Sequence, residues 1–245
     1  MLRWNLHSGF SVDRLTRKEL KRDVFAQEVG RTVTFMEQHR RPFLWGTAAA
    51  LIALLLLVGW RYYSRHQHQI RQQELADALR IQNTAVGAES GNPALPTFRT
   101  VEERRRAATK AFETLAAKFP GTDEAVIARY YLATIQAEQG KADEAARLFQ
   151  EVASSKNREY ASLARYALAQ LYAQQGKLAD SEKLLRELME HPTVLVSKEQ
   201  ATITLARVLA RSKPEEARKL LEPLRTRPGA VSRAALAALG EIATP

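Results

Sequence analysis

The chain has 245 residues, 45% hydrophobic and 26% charged, the balance of a globular protein with one large or two small domains. Its 11 Gly and 9 Pro are too few for a turn-rich all-β fold, and the absence of Cys excludes disulfides, Cys-ligated metals and clusters, a Cys nucleophile and a lipidated Cys anchor. The net charge of +10 is spread along the chain: residues 1–42 hold 9 Lys/Arg against 5 Asp/Glu, and residues 61–245 hold 28 against 22. No basic stripe interleaved with aromatics marks a nucleic-acid surface. The densest cluster, Arg104 to Arg106, follows Glu102 and Glu103 and reads as a solvated helix face.

Residues 1–42 form a basic segment. Thr16 and Glu19 have capping-box spacing and predict a helix start. Phe25, Val29, Val33 and Met36 then make a narrow apolar stripe, interrupted by Gly30. Such a stripe fits an anionic headgroup layer or a partner helix, and equally a partly helical tail.

Residues 43–60, FLWGTAAALIALLLLVGW, carry no charge. As a helix they reach about 27 Å, close to the roughly 30 Å of a bilayer's hydrocarbon core. Trp45 lies near one end and Trp60, Tyr62 and Tyr63 at the other, where interfacial aromatics belong, while Arg61 can extend to the headgroups. A cleaved signal would not carry 42 residues ahead of its apolar core, so a retained transmembrane helix is expected. The 20 residues on either side of the span nearly tie, with three Lys/Arg before it and four after. The nine basic residues of the short N-terminal segment nonetheless favour a cytoplasmic N-terminus by the positive-inside rule, with repeats facing the cytosol as the alternative.

Residues 61–98 read as a stalk helix, Arg61 to about Ala85, followed by a Gly/Pro-rich loop from Val86 to Pro96. The remainder, 99–245, contains a repeat. The segments Leu132 to Ala145 and Leu168 to Ser181 align without a gap, their glycines Gly140 and Gly176 standing 36 residues apart. A third copy starts at Leu205, is one residue shorter in its turn and lacks the glycine; a half-copy precedes at Lys110 to Leu115, before Pro120. Small residues (Ala133, Ala145, Ala169, Ser181) stand where paired helices must approach, and Phe112, Phe149, Leu185 and Leu221 where the second helix packs. Helix, turn and helix at a period in the thirties predict an all-α solenoid of stacked hairpins, each unable to bury its apolar face alone. The stretch from Gly229 onward reads as a closing helix.

No phosphate-loop, dinucleotide, zinc-protease or serine-hydrolase motif is present. The five His residues include no i, i+4 pair. Carboxylates such as Asp143, Glu144, Glu215 and Glu216 open predicted helices, where the macrodipole favours them. No catalytic residue, metal, cofactor, small-molecule substrate or nucleic acid is therefore expected.

On these residues the alignment resembles the tetratricopeptide repeat, with Pro120 at the family's terminal proline and Tyr172 at its first-helix aromatic. It departs by Arg129 and Arg165 at the usual Trp position and Ala133 and Ala169 at the usual Gly. The resemblance implies a groove lined by first helices, which maps onto Tyr130, Thr134 and Glu138, then Tyr166, Gln170 and Gln174, then Ile203 and Arg207. Tyr130 and Tyr166 are the expected anchors, unless both simply pack between hairpins. The set lacks a Lys/Asn/Arg carboxylate clamp.

Together with the span and its Gly59-Trp60-Arg61-Tyr62-Tyr63 exit, the arrangement resembles the YfgM-type ancillary subunits of the bacterial SecYEG translocon. That resemblance implies a single-pass inner-membrane protein, N-terminus cytoplasmic and repeats periplasmic, with the translocon and a membrane-anchored periplasmic chaperone as partners. The alternative is a membrane-anchored scaffold for envelope assembly or cell division.

Overall fold

The computed structural model describes residues 40–87 and 97–243. The expected helix at Thr16 and its apolar stripe lie outside them. The described residues form nine α-helices and one 3-10 turn, with no strand beyond an isolated Val86–Phe98 bridge. The helices are α1 (Arg40–Asn83), α2 (Val101–Lys118), α3 (Asp123–Glu138), α4 (Ala142–Ala153), α5 (Arg158–Gln174), α6 (Leu178–Glu190), α7 (Lys198–Leu209), α8 (Pro214–Leu221) and α9 (Ala230–Ala243). The chain divides into two units, residues 1–66 and 67–245.

In the first unit, every described side chain from Leu44 to His66 is exposed, including the aliphatic run Leu51 to Val58. Water would not tolerate such a surface: each exposed Leu forgoes about 1.5–3 kcal/mol of burial. The helix is long and apolar enough to cross a membrane, and none of its most apolar stretch is covered by protein.

The second unit is a stack of helical hairpins. From α3 onward its helix starts alternate in kind. The helices α2, α3, α5 and α7 begin with a side-chain cap, Thr100 accepting from the Glu103 N–H (3.1 Å), Thr122 from Ala125 (3.3 Å), Asn157 from Tyr160 (3.1 Å) and Ser197 from Gln200 (3.1 Å). The second helices α4, α6 and α8 start after Lys141, Lys177 and Lys213, with no side-chain cap. Their first turns instead carry Asp143/Glu144, Asp180 and Glu215/Glu216 against the macrodipole. Gly140 and Gly176 close their turns at φ +76°, a conformation that disfavours any side chain. The third turn does without, because Pro214 presets the start of α8.

The expected packing positions are all inside. Phe112, Leu185 and Leu221 are fully buried and Phe149 nearly so, while Ala133, Ala145, Ala169 and Ser181 have no exposed surface. Three apolar clusters run along the stack. One joins Leu75 and Ala78 of α1 to Ala108, Phe112 and Leu115 of α2 and to α3. The second joins α3 and α4 to α5 around Phe149, Val152 and Leu168, and the third joins α6, α7, α8 and α9 around Leu185, Leu205 and Leu221. The C-terminal part of α1, read from sequence as stalk, thus serves as first arm of the opening hairpin. Its polar tie is Glu124, a buried carboxylate that accepts from Arg71 Nε and Gln72 Nε2 (both 3.3 Å) and pairs with His68 Nδ1 (3.2 Å). Burial pushes its pKa up, but its backbone hydrogen bond, Gln72 and the charges of Arg71 and His68 outweigh that and hold it below the ordinary value.

Candidate partner-binding groove

The first-helix residues expected to line a groove stand in different surroundings. Tyr130 on α3 is half-buried in an aromatic cluster, its ring 5.7 Å from Phe149, 5.7 Å from Tyr131 and 5.6 Å from Tyr160. Burial raises its pKa and that of Tyr160. Tyr131 in turn stacks on Phe112 at 5.1 Å. The rings fill the seam between α3 and α5, where aromatic pairs add packing energy beyond their area. Thr134 spends its hydroxyl proton on the Tyr130 carbonyl one turn back (3.1 Å), and Glu138 is exposed at the helix end.

Tyr166 on α5 is also half-buried. Its hydroxyl reaches Thr204 Oγ1 of α7 at 2.8 Å, and its ring packs on the C-terminal cluster. Ile203 is 7% exposed and belongs to that cluster. Both border a small cavity of about 270 Å³ beside Val231 and Ala234 of α9, whose other wall includes Arg207.

Three expected residues do converge. Gln170 and Gln174 of α5, both exposed, face Arg207 of α7 across an open cleft of about 1220 Å³. Thr204, Arg211 and Glu241 complete its polar lining. Arg207 Nε pairs with Glu241 Oε2 of α9 at 3.3 Å, and both groups are about half exposed, so this bond contributes about 1 kcal/mol at most. Sequence reasoning did not name Thr204, Arg211 or Glu241. Arg211 lies in the turn that lacks the glycine, and Glu241 enters only because α9 continues the row of first helices. The signal was the closing helix itself.

Along the apolar helix, Trp45, Trp60, Arg61, Tyr62 and Tyr63 are all exposed on α1. Among the described residues no group of three or more His, Asp or Glu side chains is placed to hold a metal ion. The cleft offers amides, a hydroxyl, guanidinium groups and one carboxylate, with Ala173, Leu178, Val208 and Ala210 among its apolar lining. That chemistry pairs with polypeptide backbone and carboxylates; it contains no nucleophile set against a base.

Consecutive hairpins with capped first helices and an open polar cleft define a helical-repeat protein of the binding kind. The family model described as a tetratricopeptide repeat-like domain matches residues 41–191, and the chain belongs to that family. Two solved structures are similar, those of a Podosopora anserina kinesin light chain protein with nearly identical TPR-like repeats and of a point variant of it. Each is 17% identical, with a TM-score of 0.50 over 70% of this chain and 84% of that chain, a likeness of fold alone. No curated protein matches the sequence.

Proposed function

We propose that this protein is a membrane-anchored, protein-binding repeat subunit accessory to the bacterial protein-export translocon. Its N-terminal segment lies in the cytoplasm, and its repeats work on the periplasmic side of the inner membrane. Its partners are the SecYEG translocon and a membrane-anchored periplasmic chaperone. The observation that carries the binding role is the cleft bordered by Gln170, Gln174, Thr204, Arg207 and Arg211, open and lined with side chains that can hydrogen-bond an extended chain. Support for the anchor comes from the uncovered apolar helix. Support for the translocon comes from the matching family, which includes YfgM-like proteins, and from the Gly59 to Tyr63 exit of the span. Tyr130 and Tyr166 contribute as walls between hairpins more than as anchors, since their rings are already packed.

The test is a photo-crosslinking amino acid at Gln174 of the full chain in living cells. Adducts to translocon subunits and to the chaperone are expected. Adducts confined to one envelope-assembly or division protein would replace this reading with the scaffold. Protease added to spheroplasts should digest the repeats; protection there, with digestion in inverted vesicles, would reverse the orientation.

A further inference from the structure

The charges around the C-terminal cleft are uneven. Arg211, in the turn after α7, is exposed and makes no hydrogen bond or ion pair within the described residues. Arg207, one helical turn earlier, borders the same cleft but is held by Glu241. Glu241 is the one acidic residue among the cleft's lining, and it arrives from α9, the last helix of the stack. The C-terminal ends of α5 and α7 also lie here, and their partial negative charge favours cations. That effect is about half a charge per helix, spread and screened, whereas each guanidinium is a full charge with five donors. The balance of the cleft lining is positive, with one internal carboxylate partly neutralising it.

We infer that this cleft takes an extended polypeptide segment bearing Asp or Glu side chains, and that Glu241 is an internal stand-in for one of those carboxylates. The inference rests on the groove reading above and adds the chemistry of the partner. Arg211 receives the first carboxylate. Gln170 and Gln174, four residues apart on one face of α5, pair with the segment's backbone. A second carboxylate displaces Glu241 from Arg207. The cleft, at about 1220 Å³, exceeds the roughly 300–1000 Å³ of small-molecule pockets.

The experiment uses the full chain in an uncharged detergent and three fluorescent peptides of about ten residues, long enough at ~3.3 Å per residue to cross the cleft. They alternate Glu/Ser, Asn/Ser or Lys/Ser, with both ends blocked so that only side-chain charge differs. Fluorescence anisotropy should show the Glu peptide binding about tenfold or more tighter than the Asn peptide, an advantage that fades with salt. Arg211→Glu should remove most of that advantage, and Glu241→Gln should tighten Glu-peptide binding about three- to tenfold by releasing Arg207. Lys219→Glu makes the same change in net charge on an exposed position of α8 outside the cleft, and should leave affinity unchanged.

Equal binding of Glu and Asn peptides would overturn the inference. So would an unaltered affinity in Arg211→Glu, an equal loss in Lys219→Glu, or an unaltered or weaker affinity in Glu241→Gln. If the Asn peptide binds as tightly as the Glu peptide while Gln174 still crosslinks its partners, the groove survives and only its preference for acid falls. If no peptide binds and Gln174 crosslinks nothing, the groove falls too.

Discussion

The two ends of the repeat stack solve one packing problem with different chemistry. In the earlier hairpins, Phe112, Tyr131, Tyr130, Phe149 and Tyr160 make a run of ring contacts through α2, α3, α4 and α5. In the last, the buried hydrophobic side chains are Leu, Ile, Val and Ala alone. The geometry survives because one bulky residue returns to the same place on each second helix, whether Phe112 and Phe149 or Leu185 and Leu221. What changes is the seam between first helices. Rings close it between α3 and α5; farther on, the Tyr166–Thr204 hydrogen bond closes part of it, and Gln170, Gln174 and Arg207 line an open cleft. The cleft therefore sits beyond the run of ring contacts.

The hardest way to break this comparison is to empty both ends. Phe112→Ala should cost about 3–5 kcal/mol and Leu221→Ala about 2–5 kcal/mol in urea unfolding of the repeat domain, since both side chains are fully buried. A cost below 1 kcal/mol at either place would show that the repeat register is wrong there.

The turns offer the next contrast. Gly140→Ala adds a Cβ that meets nothing within 4 Å, so its cost is the backbone alone, about 1–2 kcal/mol at φ +76°. Ser212→Ala, in the glycine-free turn, should change stability by about 0.5 kcal/mol or less. Equal melting temperatures for the two variants would remove the distinction between the turns.

A third test should raise stability. Ser181 stands where the neighbouring hairpins have Ala145 and Ala217, all without exposed surface, and its hydroxyl has no hydrogen-bond partner among the described residues. Ser181→Ala should stabilise by about 1 kcal/mol, because an orphaned buried hydroxyl keeps its desolvation penalty. A loss of stability would mean that the hydroxyl is satisfied.

The finest contrast is in acid. Glu124 ionises more easily in the fold than in the unfolded chain, so it contributes stability above its ordinary pKa of 4.5, and that stability is lost as pH falls through the lower folded value. Below about pH 4.5 the wild-type melting temperature should fall more steeply than that of Glu124→Gln. Parallel curves would place the acid sensitivity elsewhere, Glu182 being the other carboxylate held low, by Arg186 and Lys213.

Much of this fold was legible because the repeat writes itself twice, in the spacing of Gly140 and Gly176 and in the large and small residues of the second helices. The third copy remained readable without its glycine because Ala217 and Leu221 kept their places. The first arm of the opening hairpin was not legible. Leu75 and Ala78 are its buried residues, with Leu79 and Ile81 half-buried beside them, but no short Gly turn joins α1 to α2 to mark a hairpin. The groove was legible only in part, for a related reason. Sequence spacing identifies which face of a helix a residue occupies, but not that Tyr130 meets Phe149 and Tyr160 before any partner can reach it. Nor does spacing bring Glu241 of the last helix beside Arg207.

The dual use of α1 has a practical consequence for preparing the repeats without the apolar segment. A fragment that begins after Asn83 would lose Leu75 and Ala78, uncover one side of Phe112 and leave the Glu124 carboxylate buried without its three partners. One that begins near Gln67 keeps all of them. Where the chain is cut, by protease or by design, decides whether the released piece starts with a finished hairpin or with an open apolar face that invites aggregation.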